Sequence, residues 1–269
     1  MQNTGKQKIG TLFVVATPIG NLSDITLRAI DTLRSVDMIA CEDTRTSRVL
    51  LDAYGIKKNL VSFHKFSAQQ RVTELIDALS QGMNIAYITD AGTPGISDPG
   101  AFLVATAREH GIGIVPLPGA SALTAAVAVS GTCDHGFIFL GFMPEAVRQR
   151  KMLVQKYFTA GLPVVFYESP RRLLQTLLGI RQIIGNVSIC VCKELTKLYE
   201  HSMSGRIDDV VDQLGKNVIR GEYTVIVNIS ETKEKHPDAI TDKKSLLEAA
   251  SRVTGLSKRD LYKKLFTKE

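Results

Sequence analysis

Short apolar runs alternate along this chain with stretches in which apolar residues return every three or four positions. Thr11–Ala16 (TLFVVA) predicts a strand, and Ile25–Val36, with Leu27, Ile30, Leu33 and Val36 on one face, predicts a helix opened by Ser23 or Asp24 as N-cap. The pattern continues with a strand at Met38–Cys41, a helix at Thr46–Tyr54, strand-like Leu60–Phe63 and a helix at Arg71–Gln81. Strand Asn84–Thr89, helix Gly100–His110 and strand Gly111–Pro116 complete the first half. Such alternation predicts a mainly parallel sheet with helices on both faces.

After the turn Pro116-Leu117-Pro118-Gly119 the rhythm restarts with helix Ala120–Val129, strand Phe137–Gly141, helix Arg148–Phe158 and strand Pro163–Tyr167. Helix Arg171–Ile184, strand Val187–Cys192, helix Ile207–Leu214 and strand Tyr223–Ile229 follow, so a second α/β domain is expected. Ser230–Thr241 (SETKEKHPDAIT) then reads as a polar linker. Beyond it, helices Lys243–Val253 and Lys258–Phe266 flank a Gly-containing turn, the pattern of a helix-turn-helix or of any small helical hairpin. The expected domains are therefore 1–117, 118–230 and a helical tail at 231–269.

Composition narrows the class. With 269 residues, 44% hydrophobic and 22% charged, the chain has material for real cores. Its four cysteines, without regular spacing, and the absence of a basic start followed by an apolar run favour a cytoplasmic, reduced protein. The uncharged stretch Ile112–Cys133 is long enough to span a bilayer, but its Pro and Gly residues make it a buried strand, turn and helix, so no membrane is expected. Net charge is +6, and ten basic against six acidic residues from Lys233 onward place four of those charges in the tail. That marks either a polyanion contact or a solvated basic tail.

Ligands of parallel α/β sheets bind at the carboxyl ends of strands, so the loops after the strands carry the candidate chemistry. Here they are Thr17–Leu22, Glu42–Arg45 and the long Asp90–Gly100, rich in Gly, Pro, Asp and small hydroxyls that present backbone groups to a small molecule. No P-loop, G-x-G-x-x-G or G-x-S-x-G motif is present. Cys190 and Cys192 on an apolar strand read as core, and no metal site is assigned.

Taken together, VATPIGNLSDIT (Val15–Thr26), EDTR (Glu42–Arg45), TDAGTPGISDPG (Thr89–Gly100), PGASA (Pro118–Ala122), ESPRR (Glu168–Arg172), KELTKLYE (Lys193–Glu200) and RGEY (Arg220–Tyr223) resemble the tetrapyrrole methylase superfamily. Within it they resemble the branch that methylates a cytidine ribose of 16S rRNA. The likeness runs over residues 10–229, with the motifs in order, and departs from the pattern at Glu145 and at Lys65–Ala68.

This resemblance implies a two-domain α/β fold, normally homodimeric, that holds S-adenosylmethionine in a cleft between the domains. It implies a cofactor pocket formed by Pro18, Asp90, Gly92, Thr93, Ile96 and Ser97, then Ser121 and Ala122, then Tyr167, Leu195 and Thr224. Singly, Pro18 also reads as a strand stop, Ser121 as an N-cap and Tyr167 as core. A ribose 2'-hydroxyl is a weak nucleophile, so a base or a cation should assist it. Glu42 or Asp43 is the candidate base, Lys193 or Arg45 the electrostatic helper, and Glu168 an orienting group. The partner implied is 16S rRNA or the small ribosomal subunit, with Arg148, Arg150, Lys151 and the basic tail as phosphate contacts. The rivals are a methyltransferase acting on a tetrapyrrole precursor and a non-catalytic rRNA-binding protein on the same fold.

Overall fold

The computed structural model describes residues 9–64, 68–158, 160–216, 218–229, 247, 251 and 255–266. The chain divides into two compact units, Met1–Ser230 and Glu231–Glu269.

The first unit contains two five-stranded sheets. One has the order β3-β2-β4-β1-β5, built from β1 (Thr11–Val15), β2 (Met38–Cys41), β3 (Asn59–Ser62), β4 (Ile85–Ile88) and β5 (Gly113–Leu117). All its pairings are parallel, as the βα alternation predicts. Successive side chains of β4 point to opposite faces. Ile85 and Tyr87 pack with Leu75, Leu79 and Leu103 of helices α3 (Ala68–Ser80) and α4 (Gly100–Glu109). Ala86 and Ile88 pack with Leu33 and Leu51 of α1 (Leu27–Ser35) and α2 (Thr44–Ala53).

The helix starts shift from the sequence reading. Asn21 caps a short 3-10 turn at Leu22–Asp24, so α1 begins only after Thr26, whose hydroxyl accepts from the Ala29 amide at 3.1 Å. Ser23 and Asp24 are therefore not its N-cap. Asp43 caps α2 two residues earlier than periodicity suggests.

The second sheet, in the order β6-β7-β10-β8-β9, comprises β6 (Ile138–Phe142), β7 (Val164–Glu168), β8 (Ser188–Lys193), β9 (His201–Arg206) and β10 (Tyr223–Val227). Only β6 and β7 pair in parallel; β10 runs antiparallel between β7 and β8, and β8 antiparallel to β9. Helices α6 (Val147–Tyr157), α7 (Leu173–Ile184) and α8 (Ile207–Gly215) share a core with Phe166, Val191 and Val225. Helix α5 (Ala122–Ser130) covers the other face, over Val165, Cys190, Cys192 and Ile226. Cys190 and Cys192, their sulfurs 3.9 Å apart, are core residues. Strand β9 (HSMSGR) escaped the sequence reading because it is a mostly exposed, polar edge.

In the second unit, the Gly255 amide donates to the Ser251 carbonyl at 3.0 Å with Gly255 at φ 69°, and Ser257 caps α9 (Lys258–Phe266) through the Asp260 amide at 3.2 Å. The expected linker Ser230–Thr241 and helix Lys243–Val253, apart from helical Leu247 and Ser251, lie outside the described residues, as do Lys65–Ser67. Among the described residues no helix is long and apolar enough to cross a membrane.

Candidate functional site

A cavity of about 430 Å³ lies within the first unit, where the ends of β1, β2 and β4 face the ends of β7 and β8 and the start of β10. That volume falls inside the roughly 300–1,000 Å³ of small-molecule clefts.

The wall from the first sheet is loop. Thr17 and Gly92 exchange backbone hydrogen bonds at 3.0 and 3.1 Å, and the buried Thr17 hydroxyl donates to the Thr89 carbonyl at 3.1 Å. Gly92 sits at φ +84° with Ile19 3.3 Å from where a Cβ would stand, so a side chain there would be both strained and crowded. Asp98 ties the rest of the loop down: its carboxylate accepts from the Tyr87 hydroxyl at 2.8 Å, the Gly95 amide at 2.6 Å and the Gly100 amide at 2.7 Å. Thr93 donates its hydroxyl to the Ala120 carbonyl at 3.1 Å, joining this loop to the segment that leads into α5. That segment is itself close-packed, since a Cβ on Gly119 would stand 2.9 Å from Ala16 Cβ.

The opposite wall is set by strand register. Thr224 pairs with Tyr167 on one side and Cys192 on the other, so these three form a row on the face that carries α5. Tyr167 stands edge-on to Phe139 and Phe142, at 5.1 and 5.3 Å between ring centroids. Burial pushes the Tyr167 phenol up, partly offset by a hydrogen bond from the Leu123 amide. Leu195 adds an apolar contact, from a turn in which Glu194 and Thr196 adopt φ of 50° and 67°. Phe142 is 59% exposed at the rim.

Of the anticipated cofactor residues, Gly92, Thr93, Ile96, Ser97, Ser121, Ala122, Tyr167, Leu195 and Thr224 line this one cavity. Pro18 and Asp90 do not; their neighbours Ile19, Thr89 and Ala91 do. Asp90 instead accepts a hydrogen bond from the Asp43 amide at 3.1 Å. Ser121 occupies the N-cap position of α5 without a side-chain cap bond.

The candidate catalytic residues separate. Glu42 lines the cavity, and its carboxyl is pushed above the ordinary range by burial first and then by the negative charges of Asp90, Asp98 and Asp43, against a counteracting contribution from His64. Asp43 turns to Arg45, accepting from its amide at 2.8 Å and its guanidinium at 2.7 and 3.1 Å; that pairing holds Asp43 down to about 2. Neither Asp43 nor Arg45 lines the cavity.

Glu168 borders the cavity, but its buried carboxylate accepts from the Ser169 amide at 2.7 Å, from Arg172 at 2.8 and 2.9 Å, and from the Thr176 hydroxyl at 2.6 Å. Lys193 pairs with Tyr223, one residue along from the Cys192–Thr224 pair, and the pleat turns it from the cavity face. Arg150 is not a surface phosphate contact. It is buried and donates to the Pro144 and Glu145 carbonyls at 2.9 and 2.6 Å and to Gln175 at 2.8 Å.

Among the lining residues that the sequence reading did not single out are Ile19, Asp98, Phe142 and Cys192. Only Asp98, in the Gly-rich loop, carried a readable signal, because the others are apolar residues that strand register or chain path brings to the cleft.

A sequence profile of the Tetrapyrrole (Corrin/Porphyrin) Methylases matches residues 11–211. The chain is 44% identical over 223 residues to ribosomal RNA small subunit methyltransferase I of Thermotoga maritima, covering 83% of this chain and all of that one. It is 43% identical over 218 residues to the protein of the same name from Halalkalibacterium halodurans, covering 81% of this chain and 75% of that one. Among solved structures it resembles uroporphyrin-III C-methyl transferase from Thermus thermophilus complexed with S-adenyl homocysteine. That match has a TM-score of 0.59 at 16% identity and covers 82% of this chain and 99% of the other, a likeness of fold.

Proposed function

The chain belongs to the tetrapyrrole methylase family, among the ribosomal RNA small subunit methyltransferase I proteins, and from that membership we propose that it transfers a methyl group from S-adenosylmethionine to a cytidine ribose 2'-hydroxyl in 16S rRNA. The carrying observation is that nine of the anticipated residues, seven from three separate motifs and two, Tyr167 and Thr224, directly beside two others, line one cavity of cofactor size.

The donor set suits this cofactor. Backbone groups of the 91–97 loop and the turn around Leu195 can take up its polar ends, and Ile19, Tyr167 and Leu195 offer apolar surface for a purine. Carboxylates at Glu42 and Asp98 suit a positively charged ligand. When bound, S-adenosylmethionine supplies an electrophilic methyl group on a cationic sulfur.

The protein then has to align the acceptor and remove a proton. Glu42 is the base in this reading. Its raised carboxyl faces the cavity, whereas Asp43 is committed to Arg45 and Glu168 to Arg172 and Thr176. Glu42 accepts the 2'-hydroxyl proton as the oxygen–methyl bond forms and the methyl–sulfur bond breaks. Glu168 acts as a positioning residue, holding the Ser169–Arg172 turn at the rim. Pro18 and Asp90 support the loops from behind, and Lys193 and Arg45 contribute charge from outside the cavity. We further propose residues 1–117 and 118–230 as the two halves of the enzyme, which works as a homodimer in the cytoplasm, with the basic tail at 231–269 as an RNA contact.

The test offers methyl-labelled cofactor to the purified protein with either unmodified small ribosomal subunits or a carboxylate-rich tetrapyrrole precursor. Label in RNA alone supports the proposal. Label in the tetrapyrrole transfers the site to small-molecule chemistry, and RNA binding without cofactor binding makes the protein non-catalytic.

A further inference from the structure

Phe142 is the last residue of β6 and a large apolar side chain, yet it is 59% exposed at the rim of the cleft. Its ring meets Tyr167 at 5.3 Å between centroids and 60° between planes, and more than half of the residue stays open to solvent. The chain that follows is anchored from beneath. Buried Arg150 holds the Pro144 and Glu145 carbonyls and reaches Gln175 of α7, and Arg172 approaches the Glu145 carboxylate at 3.5 Å. The β6–α6 loop is therefore fixed against α7, although it stands at the surface.

This anchored corner joins two cavities. A groove of about 480 Å³ runs between α6 and α7 from Met143, the residue after Phe142, past Lys151. It shares a wall with the cleft through Thr176, which bonds to Glu168. Arg148 and Lys151 of α6 are exposed, as is Arg171 in the turn after the cleft residues Ser169 and Pro170. Helix α6 contains no acidic residue, and the one carboxylate of the loop, Glu145, faces Arg172.

We propose that Phe142 is the stacking platform for a nucleobase of the RNA acceptor, and that Lys151 in the α6–α7 groove, with the exposed Arg148 and Arg171, holds the adjoining phosphates. The inference rests on the RNA-methylating reading above. An exposed aromatic beside unneutralised cations is how single-stranded RNA is gripped, because every base has a π-face and every linkage a charge. A base held on Phe142 leaves its own or its neighbour's sugar at the mouth of the cleft that Glu42 lines.

Binding and catalysis are measured separately on the full chain, with unmodified small ribosomal subunits as the probe. Phe142→Ala should weaken subunit binding and raise the KM for subunits about 10- to 100-fold, with a much smaller change in cofactor affinity. Phe142→Trp should restore binding, and Phe142→Leu, apolar but without a π-face, should not. Arg148→Ala and Lys151→Ala together should reduce the slope of log affinity against log salt by about 1.4, the loss of two single-strand phosphate contacts. Unchanged subunit binding in Phe142→Ala overturns the platform. Equal losses of cofactor and subunit affinity also overturn it, making Phe142 part of the cofactor wall. Subunit binding that depends on Phe142, without methyl transfer by the parent protein, would keep the platform and defeat the enzymatic reading.

Discussion

Asp98→Ala is the perturbation that most directly couples the scaffold to the cleft. Asp98 accepts three hydrogen bonds, from Tyr87, Gly95 and Gly100, and they fasten the 92–98 loop to β4 and to the first turn of α4. Tyr87 is fully buried, so the substitution strands a phenol hydroxyl, a loss of about 1–3 kcal/mol. The Gly100 amide is also buried and adds about 1 kcal/mol, whereas the exposed Gly95 amide returns to water at little cost. Together the loss is about 2–4 kcal/mol, or roughly 4–16 °C in melting temperature for a unit of this size. Urea unfolding measures the first quantity and calorimetric titration with S-adenosylmethionine the second consequence, a weaker complex, since Thr93, Ile96 and Ser97 ride on the released loop. Tyr87→Phe removes one bond and should cost about 1 kcal/mol. Stability within about 0.5 kcal/mol of the parent, together with unchanged cofactor affinity, would refute this account of the loop.

Glu42→Gln should reduce the methylation rate by about 10²- to 10⁴-fold while the cofactor still binds. Because burial and neighbouring carboxylates raise the Glu42 carboxyl, and a base must be deprotonated, kcat/KM should fall as pH drops through a value above 4.5; the substitution should abolish that acidic limb. Gly119→Ala should cost about 1–3 kcal/mol by forcing a Cβ against Ala16, and should weaken cofactor binding by displacing Ala120 from Thr93. Thermal unfolding and a cofactor titration read both effects. Deleting Lys233–Glu269 should weaken subunit binding and flatten its salt dependence while sparing cofactor affinity, as measured by filter binding over a salt series.

The first sheet was legible because its strands are apolar runs alternating with helices, and a helical crossover between successive strands leaves a parallel arrangement as the natural outcome. The second was legible only as a set of elements. Near-continuous burial in Val164–Glu168 and Ser188–Lys193 looks the same whether the neighbouring strand is parallel or antiparallel, so the reversal of β10 carried no local signal. The loops that line the cleft stood out because Gly and Pro mark the backbone conformations they need. The division of labour among Glu42, Asp43 and Glu168 did not, because it depends on who answers each carboxylate: Arg45 is two positions from Asp43, and Thr176 lies a helical turn inside α7. Lys193 shows the limit most simply, since one step along a strand reverses its face.

The central claim is methyl transfer from this cleft to a ribose of small-subunit RNA. It is tested most directly by incubating the protein with methyl-labelled S-adenosylmethionine and small subunits from cells lacking the endogenous modification, digesting the RNA to nucleosides, and weighing the labelled product. The account predicts label in 2'-O-methylcytidine, appearing about 10²- to 10⁴-fold more slowly when Glu42→Gln replaces the parent. Label on a base, or none despite a bound cofactor, would contradict it.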